Sequence, residues 1–474
     1  MSLNLPAKPT IADIHELYRA QHSVPTVIRY FLERVSRLDQ EIAGVVRLNS
    51  ELAESQAQTL QEELERSDLD TLLHRKPLFG IPYALKDNIL VEGEPLTAQS
   101  RILEGYVATY SSDVYLRLQA AGGVLVAQTN MDEFAFGSST EFSGFGQITK
   151  NPHDTSRVPG GTSGGSAALV AVGALPVAIG TDTGGSIRQP ASFTGTYGIR
   201  PTYGSVSRFG IVASTSSFDQ AGPLTNSLDD NQRVLKVLQA KSRQDQTSID
   251  LPSPRSTAKK FVVGVPAEFM GEGLDAQVRT VFEQAMAHVG DSVEFKTVSL
   301  PMSEYTLAVY YILQTVEAAA NLERFDTVRY GAQEATGDTY TTGRAKFGDE
   351  AKRRIMLGTY TSSAGYYDAY YNKACMVREK IRAELNEVLK TADALLMPAS
   401  PFPAFKIGEN ANDPLSMYLA DIMTVTHPIT RVPSLVIPGK AVEVDGRKLP
   451  VGLQLVGTEG SEDTLYTLAQ HFTK

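Results

Sequence analysis

Leu175-Pro176-Val177-Ala178-Ile179-Gly180-Thr181-Asp182-Thr183-Gly184-Gly185-Ser186-Ile187-Arg188 is the stretch whose reading decides the fold. Its apolar run is short and ends in glycines, which fits a buried strand better than a helix, and a helical pattern follows the loop. Upstream, Ser166 to Gly173 lies between two glycine clusters and reads as a crossover helix, and Gly123-Val124-Leu125-Val126-Ala127 reads as another buried strand. Strand, helix, strand in that order predicts the α/β class, with a large mixed, mostly parallel sheet covered by helices on both faces.

Working outward, residues 77–225 keep this alternation of apolar runs and glycine loops, whereas residues 1–75 read as helices. Thr10 with Asp13 three residues on is a helix-start pattern, and Val27, Phe31, Val35 and Leu38 recur at helical spacing after Pro25. Glu51 to Arg66 is polar and helical by propensity, which predicts a surface helix. Lys260-Phe261-Val262-Val263-Gly264-Val265 predicts a further strand. Residues 275–390 are dominated by helical patterns, and Ala394 to Met397 and Leu449 to Val456 predict two late strands. No internal repeat, low-complexity tract or linker divides the chain, so residues 1–474 are expected to form one domain.

The composition, 42% apolar with 38 Gly and 24 Pro, is that of a globular chain able to bury a large core. A net charge of −10 argues against this chain alone gripping a phosphate backbone, because such affinity rests on Lys and Arg. The single cysteine, Cys375, has no partner for an internal disulfide and reads as a small core or surface residue. MSLNLPAKPT carries no apolar stretch after a basic cluster, and the longest apolar run, Ala167 to Ile179, is broken by Gly173 and Pro176. A soluble, cytoplasmic protein without membrane contact is the expectation.

Three segments carry chemistry: Gly80-Ile81-Pro82-Tyr83-Ala84-Leu85-Lys86-Asp87-Asn88, Pro159-Gly160-Gly161-Thr162-Ser163-Gly164-Gly165-Ser166, and Gly180 to Pro190. In the third, a glycine loop between strand and helix can aim several backbone N–H groups at one point, which holds an oxyanion, and Ser186 stands where a nucleophile would attack. A phosphate-cradling loop is the alternative, but the Gly-Lys-Ser/Thr ending of such loops is missing. The seven histidines form no local motif with a serine. Lys86 is the candidate base, since Ile81 to Leu85 would carry it into a desolvated interior that favours the neutral amine; the alternative is a lysine that reaches solvent or pairs with Asp87. Gly161-Thr162-Ser163-Gly164-Gly165 also fits the Gly-x-Ser-x-Gly elbow, with Ser163 as nucleophile and a histidine base, but residues 151–159 before it read as loop where an elbow requires a strand.

These residues resemble the amidase-signature family, whose fold and lysine, bridging serine and nucleophilic serine the resemblance carries over to this chain. It implies Lys86 as base, Ser186 as nucleophile, and Thr162, 24 residues before Ser186, as the bridging hydroxyl on a cis peptide bond. The family usually has serine there; threonine keeps the hydroxyl but adds a methyl that restricts χ1. The resemblance further implies that N–H groups of Thr183, Gly184, Gly185 and Ser186 form the oxyanion site, with Ser163, Arg188 and Asp182 supporting it and no metal.

Thr129-Asn130-Met131-Asp132-Glu133-Phe134-Ala135, Ser138-Ser139-Thr140-Glu141, Arg200-Pro201-Thr202-Tyr203-Gly204, Lys352 to Tyr360 and Ala364 to Tyr371 together resemble, over nearly the whole chain, the A subunits of glutamyl-tRNA(Gln)/aspartyl-tRNA(Asn) amidotransferases. That resemblance implies a glutaminase with no cofactor of its own. Its ammonia would go to a B subunit that uses ATP and Mg²⁺ and holds most of the misacylated tRNA, with a small C subunit joining the two. It implies a glutamine site of Tyr310, Arg354 and Asp421, with Tyr311 and Arg353 as neighbours that could take the first two roles. Thr426-His427-Pro428-Ile429-Thr430-Arg431 and Ala420 depart from the usual pattern, and the segment from Tyr330 to Lys352 is shorter than usual. A stand-alone amidase for another small carboxamide, or a non-catalytic scaffold, are the competing readings.

Overall fold

The computed structural model describes residues 3–251, 260–331, 339–411 and 413–473. Its strands are β1 (Val45–Leu48), β2 (Pro82–Lys86), β3 (Val124–Thr129), β4 (Val177–Asp182), β5 (Tyr197–Arg200), β6 (Gln220–Thr225), β7 (Phe261–Pro266), β8 (Val293–Val298), β9 (Ala394–Pro398), β10 (Ser434–Pro438), β11 (Val442–Val444), β12 (Arg447–Leu449) and β13 (Gly452–Val456). Eleven of them form one sheet in the order β1-β3-β2-β4-β6-β5-β10-β13-β9-β7-β8, and β11 pairs with β12 alone.

The large mixed sheet matches expectation, but parallel pairs occupy only its two flanks. β3-β2-β4 and β9-β7-β8 are parallel, while every neighbouring pair from β4 to β9, and β1-β3, is antiparallel. The reason lies in the connections. Helices Asp113–Ala120 and Gly164–Ala171 separate β2, β3 and β4, which enforces parallel crossovers, whereas the β11-β12 hairpin turns the chain straight back from β10 to β13. The expected late strand beginning at Leu449 is split: Leu449 ends β12 and β13 starts at Gly452. β8 lies inside the stretch expected to be helical.

The N-terminal helices form as the caps predict. Thr10 accepts from Asp13 N while the Asp13 carboxylate accepts from Thr10 N, a capping box on helix Ile11–Arg19. Helix Ser50–Arg66 lies mostly on the surface but buries Ala53, Gln56, Ala57 and Leu60.

Both faces of the sheet are covered. Leu435 and Ile437 of β10 pack with Leu465 and Leu468 of the C-terminal helix, while Val436 between them packs on the other face with Ala167 and Ala191. Ala167 belongs to helix Gly164–Ala171, which is buried along its whole length. It can sit so deep because its first two residues carry no side chain: a Cβ on Gly165 would lie 2.5 Å from the Asn130 carbonyl oxygen. No described helix is long and apolar enough to cross a membrane.

Candidate active site

Lys86 ends β2 and Thr181-Asp182 end β4, and these strands are parallel neighbours, so both chains leave the sheet at the same edge. Thr162 and Ser163 arrive there from the loop before the buried helix. Lys86 Nζ lies 2.6 Å from Thr162 Oγ1 and 2.9 Å from Ser163 Oγ, with Lys86, Thr162 and Ser163 all fully buried. Burial pushes the ammonium down to about 7, against the opposing pull of Asp132, Asp182 and Asp219.

Proton counting orients this cluster. Ser163 Oγ donates its only proton to Thr181 O at 2.9 Å and accepts from Thr181 N at 3.2 Å. Toward Lys86 it therefore acts as acceptor. A neutral Lys86 gives one N–H to Ser163 and the other to Thr181 O at 3.4 Å, so its lone pair is left for the Thr162 hydroxyl proton.

Ser186 follows in the loop between β4 and helix Arg188–Thr194, and its carbonyl accepts from Ser163 N at 3.2 Å. It is 6% exposed, and among the described residues its hydroxyl has no hydrogen-bond partner. The backbone N–H groups of Thr183, Gly184, Gly185 and Ser186 likewise have no acceptor among the described residues, which leaves four donors open beside one hydroxyl. The paired glycines are required by what lies over them. A Cβ on Gly184 would come within 2.5 Å of the Tyr310 hydroxyl, and one on Gly185 within 2.4 Å of Thr424 Oγ1.

The loop is braced from below. Arg188 donates from Nε and Nη2 to the two Asp182 oxygens at 3.0 and 2.9 Å, and from Nη1 to Thr424 O, His427 Nδ1 and Gln454 Oε1. Arg200 Nη1 approaches Asp182 Oδ1 at 3.3 Å. Burial raises the Asp182 carboxyl, but the two guanidiniums outweigh it and hold it at about 2. Asp182→Asn would leave two buried arginines without their counter-charge, so it is expected to lower unfolding free energy by about 3–5 kcal/mol, read from denaturant titration. On the other side, Thr183 Oγ1 donates to Asp219, which also accepts from Ser214 N and Thr215 N.

All three residues expected to meet glutamine are buried around this loop. Tyr310 stacks on Phe218 and holds its hydroxyl over Gly184, whereas the neighbouring Tyr311 donates to Asp421 at 2.8 Å. Asp421 also accepts from Ser138, whose own carbonyl accepts from Gly161 N beside Thr162. Burial pushes Asp421 up to about 6 against these donors. Of the two candidate arginines, Arg354 is buried among the Phe136, Tyr311 and Tyr418 rings, while Arg353 is exposed and paired with Glu350. Arg354 and Tyr418 line a cleft of about 370 Å³ together with Glu133, Gly137, Glu350 and Arg353.

Two expectations change here. No peptide bond among the described residues is cis, so Thr162 reaches Lys86 from a trans backbone. The elbow reading of Ser163 fails, because no strand precedes it and its hydroxyl is bound to Thr181 and Lys86 instead of a histidine. Much of the short segment after Tyr330, residues 332–338, lies outside the described residues. Tyr311 entered the sequence reading only as the alternative to Tyr310, and Ser138, Asp219 and Thr424 were missed as parts of the site. Only Ser138 fell in a quoted string, and nothing in the local pattern marked the others.

A family model described as Amidase matches residues 26–466. The chain is 44% identical to the A subunit of glutamyl-tRNA(Gln) amidotransferase from Geobacillus kaustophilus, over 98% of this chain and 96% of the relative. It is 46% identical to the protein of the same name from Microcystis aeruginosa, with the same coverage. Among solved structures, the glutamyl-tRNA(Gln) amidotransferase A subunit from Thermotoga maritima superposes with a TM-score of 0.79 at 36% identity, covering 98% of this chain and 94% of the other.

Proposed function

The chain belongs to the Amidase family, and from that premise we propose that it is the glutamine-hydrolysing A subunit of a tRNA-dependent amidotransferase. The observation that carries this reading is the buried Lys86 amine, 2.6 Å from Thr162 Oγ1 at the edge where Ser186 meets four open backbone N–H groups.

Ser186 Oγ attacks the carboxamide carbon of glutamine while its proton passes to Thr162 Oγ1 and the Thr162 proton passes to Lys86 Nζ. The oxyanion that forms is held by the N–H groups of Thr183 to Ser186. The proton returns through Thr162 to the amide nitrogen, the C–N bond breaks and ammonia leaves. Water then attacks the acyl-enzyme through the same relay, releasing glutamate and restoring Ser186. Ser163 aims the Lys86 lone pair, Asp182 and Arg188 hold the loop, Arg354 takes the substrate carboxylate, Asp421 its ammonium, and Tyr310 donates a hydrogen bond.

The ammonia serves a B subunit that uses ATP and Mg²⁺ to amidate Glu-tRNA(Gln), Asp-tRNA(Asn) or both, with a C subunit completing the complex in the cytoplasm. The net charge of −10 fits a chain that leaves most of the tRNA to its partner. Ammonia release from glutamine, measured for the chain alone and with its B and C subunits, tests the proposal. Release that strengthens with the partners is expected; none under either condition sinks it.

A further inference from the structure

We propose that Glu350 is a positioning residue for glutamine recognition: with Gln314, it determines which edge of the Arg354 guanidinium is offered to the substrate carboxylate. This role rests on the glutamine-hydrolase reading above.

A guanidinium has five N–H donors in a rigid plane, so binding one edge fixes the direction of the others. Arg354 Nε donates to Glu350 Oε1 at 2.7 Å, and Nη1 donates to Gln314 Oε1 at 2.6 Å. Nη2 and one N–H of Nη1 have no hydrogen-bond partner among the described residues. The plane cannot tip away, because the Phe136, Tyr311 and Tyr418 rings lie 5.6, 5.0 and 5.1 Å from its carbon. Two acceptors thus consume the Nε edge and part of Nη1, and the remaining donors are the ones available to fork a carboxylate.

Glu350 is itself held in place. It stands in the first turn of helix Asp349–Ser362, four residues before Arg354, and Tyr418 Oη donates to its Oε1 at 3.3 Å. The start of that helix is pinned by Glu133, whose Oε2 accepts from Gly348 N at 2.9 Å. A Cβ on Gly348 would lie 2.3 Å from that oxygen, so the fit at the helix start is close. Glu350, Arg354 and Tyr418 all line the same cleft, so the oriented edge belongs to a wall that substrate can reach. An i, i+4 pair that merely stapled the helix would act on stability and on every substrate alike. An orienting pair acts only on substrates that carry the carboxylate.

The test uses glutamine and 4-aminobutanamide, which is glutamine without its α-carboxylate, on the full chain with its partner subunits. Glu350→Ala is expected to raise KM for glutamine about tenfold with kcat within about twofold, and to leave kcat/KM for 4-aminobutanamide unchanged. Glu350→Gln keeps an acceptor for Nε and is expected to stay close to the parent for both. An unmoved glutamine KM in Glu350→Ala, or equal losses on the two substrates, overturns the role. A parent inert toward glutamine under all conditions sinks the glutamine reading itself, and this role with it.

Discussion

Ser186→Ala is expected to lower kcat for glutamine hydrolysis by between about 10⁴- and 10⁶-fold, the scale seen when a hydrolase loses its attacking atom and keeps only binding and oxyanion stabilisation. The loop should survive the change. Its geometry depends on Asp182 held between Arg188 and Arg200 and on Thr183 held by Asp219, and none of these contacts uses the Ser186 hydroxyl. The thermal midpoint of the variant should therefore stay near that of the parent. Ser163→Ala gives the contrasting arm, since that hydroxyl orients Lys86 without attacking substrate. It should leave activity reduced but measurable. Steady-state ammonia release from both variants decides the matter: full loss at Ser163 with survival at Ser186 would transfer the nucleophile to the other serine.

The parts of this site that were legible in the sequence are those made by short contiguous strings. Ser186 and its donors come from one loop, so a glycine pair between a strand and a helix announces them. Lys86 was legible through the apolar run before it, which is β2. Asp219, Gln314 and Glu350 were not, because each reaches the site from a segment whose local pattern is an ordinary loop or helix face, and only tertiary contact brings it there.

The fold divides in the same way. β3, β4 and β7 are short, mostly apolar runs and were foreseen. β6 was not, because Gly222 and Pro223 in Gln220-Ala221-Gly222-Pro223-Leu224-Thr225 argue against a central strand. Packing overrides that argument: pairing with the short β5 covers only Leu224 and Thr225, which leaves Pro223 beyond it, and a Cβ on Gly222 would lie 2.1 Å from Ile199 O. The expectation of mostly parallel pairing failed in the middle of the sheet for the same reason. Hairpin and loop returns, which periodicity does not reveal, place β10 between β5 and β13 in antiparallel register.

The pH profile is expected to carry the signature of Lys86. A base acts through its deprotonated form, and burial brings this amine down to about 7, so kcat should climb with pH through about 7 and level off above it. Asp421, pushed up to about 6 by burial, ionises earlier and acts through glutamine binding, which places its limb in KM. Stability adds an independent check. The unfolded chain holds this proton up to the ordinary value of 10.5, so between 10.5 and about 7 it binds more protons than the folded one. The destabilisation from burying Lys86 thus grows as pH falls through that window and is complete below it. Lys86→Met should abolish hydrolysis yet unfold at higher denaturant than the parent, with a larger margin at pH 6 than at pH 10. Thr162→Val removes the intervening hydroxyl at nearly constant volume and should abolish activity too, whereas Thr162→Ser should keep both the activity and the limb near 7. A flat kcat between pH 6 and 9, or an active Thr162→Val enzyme, would show that the proton of Ser186 leaves by another route.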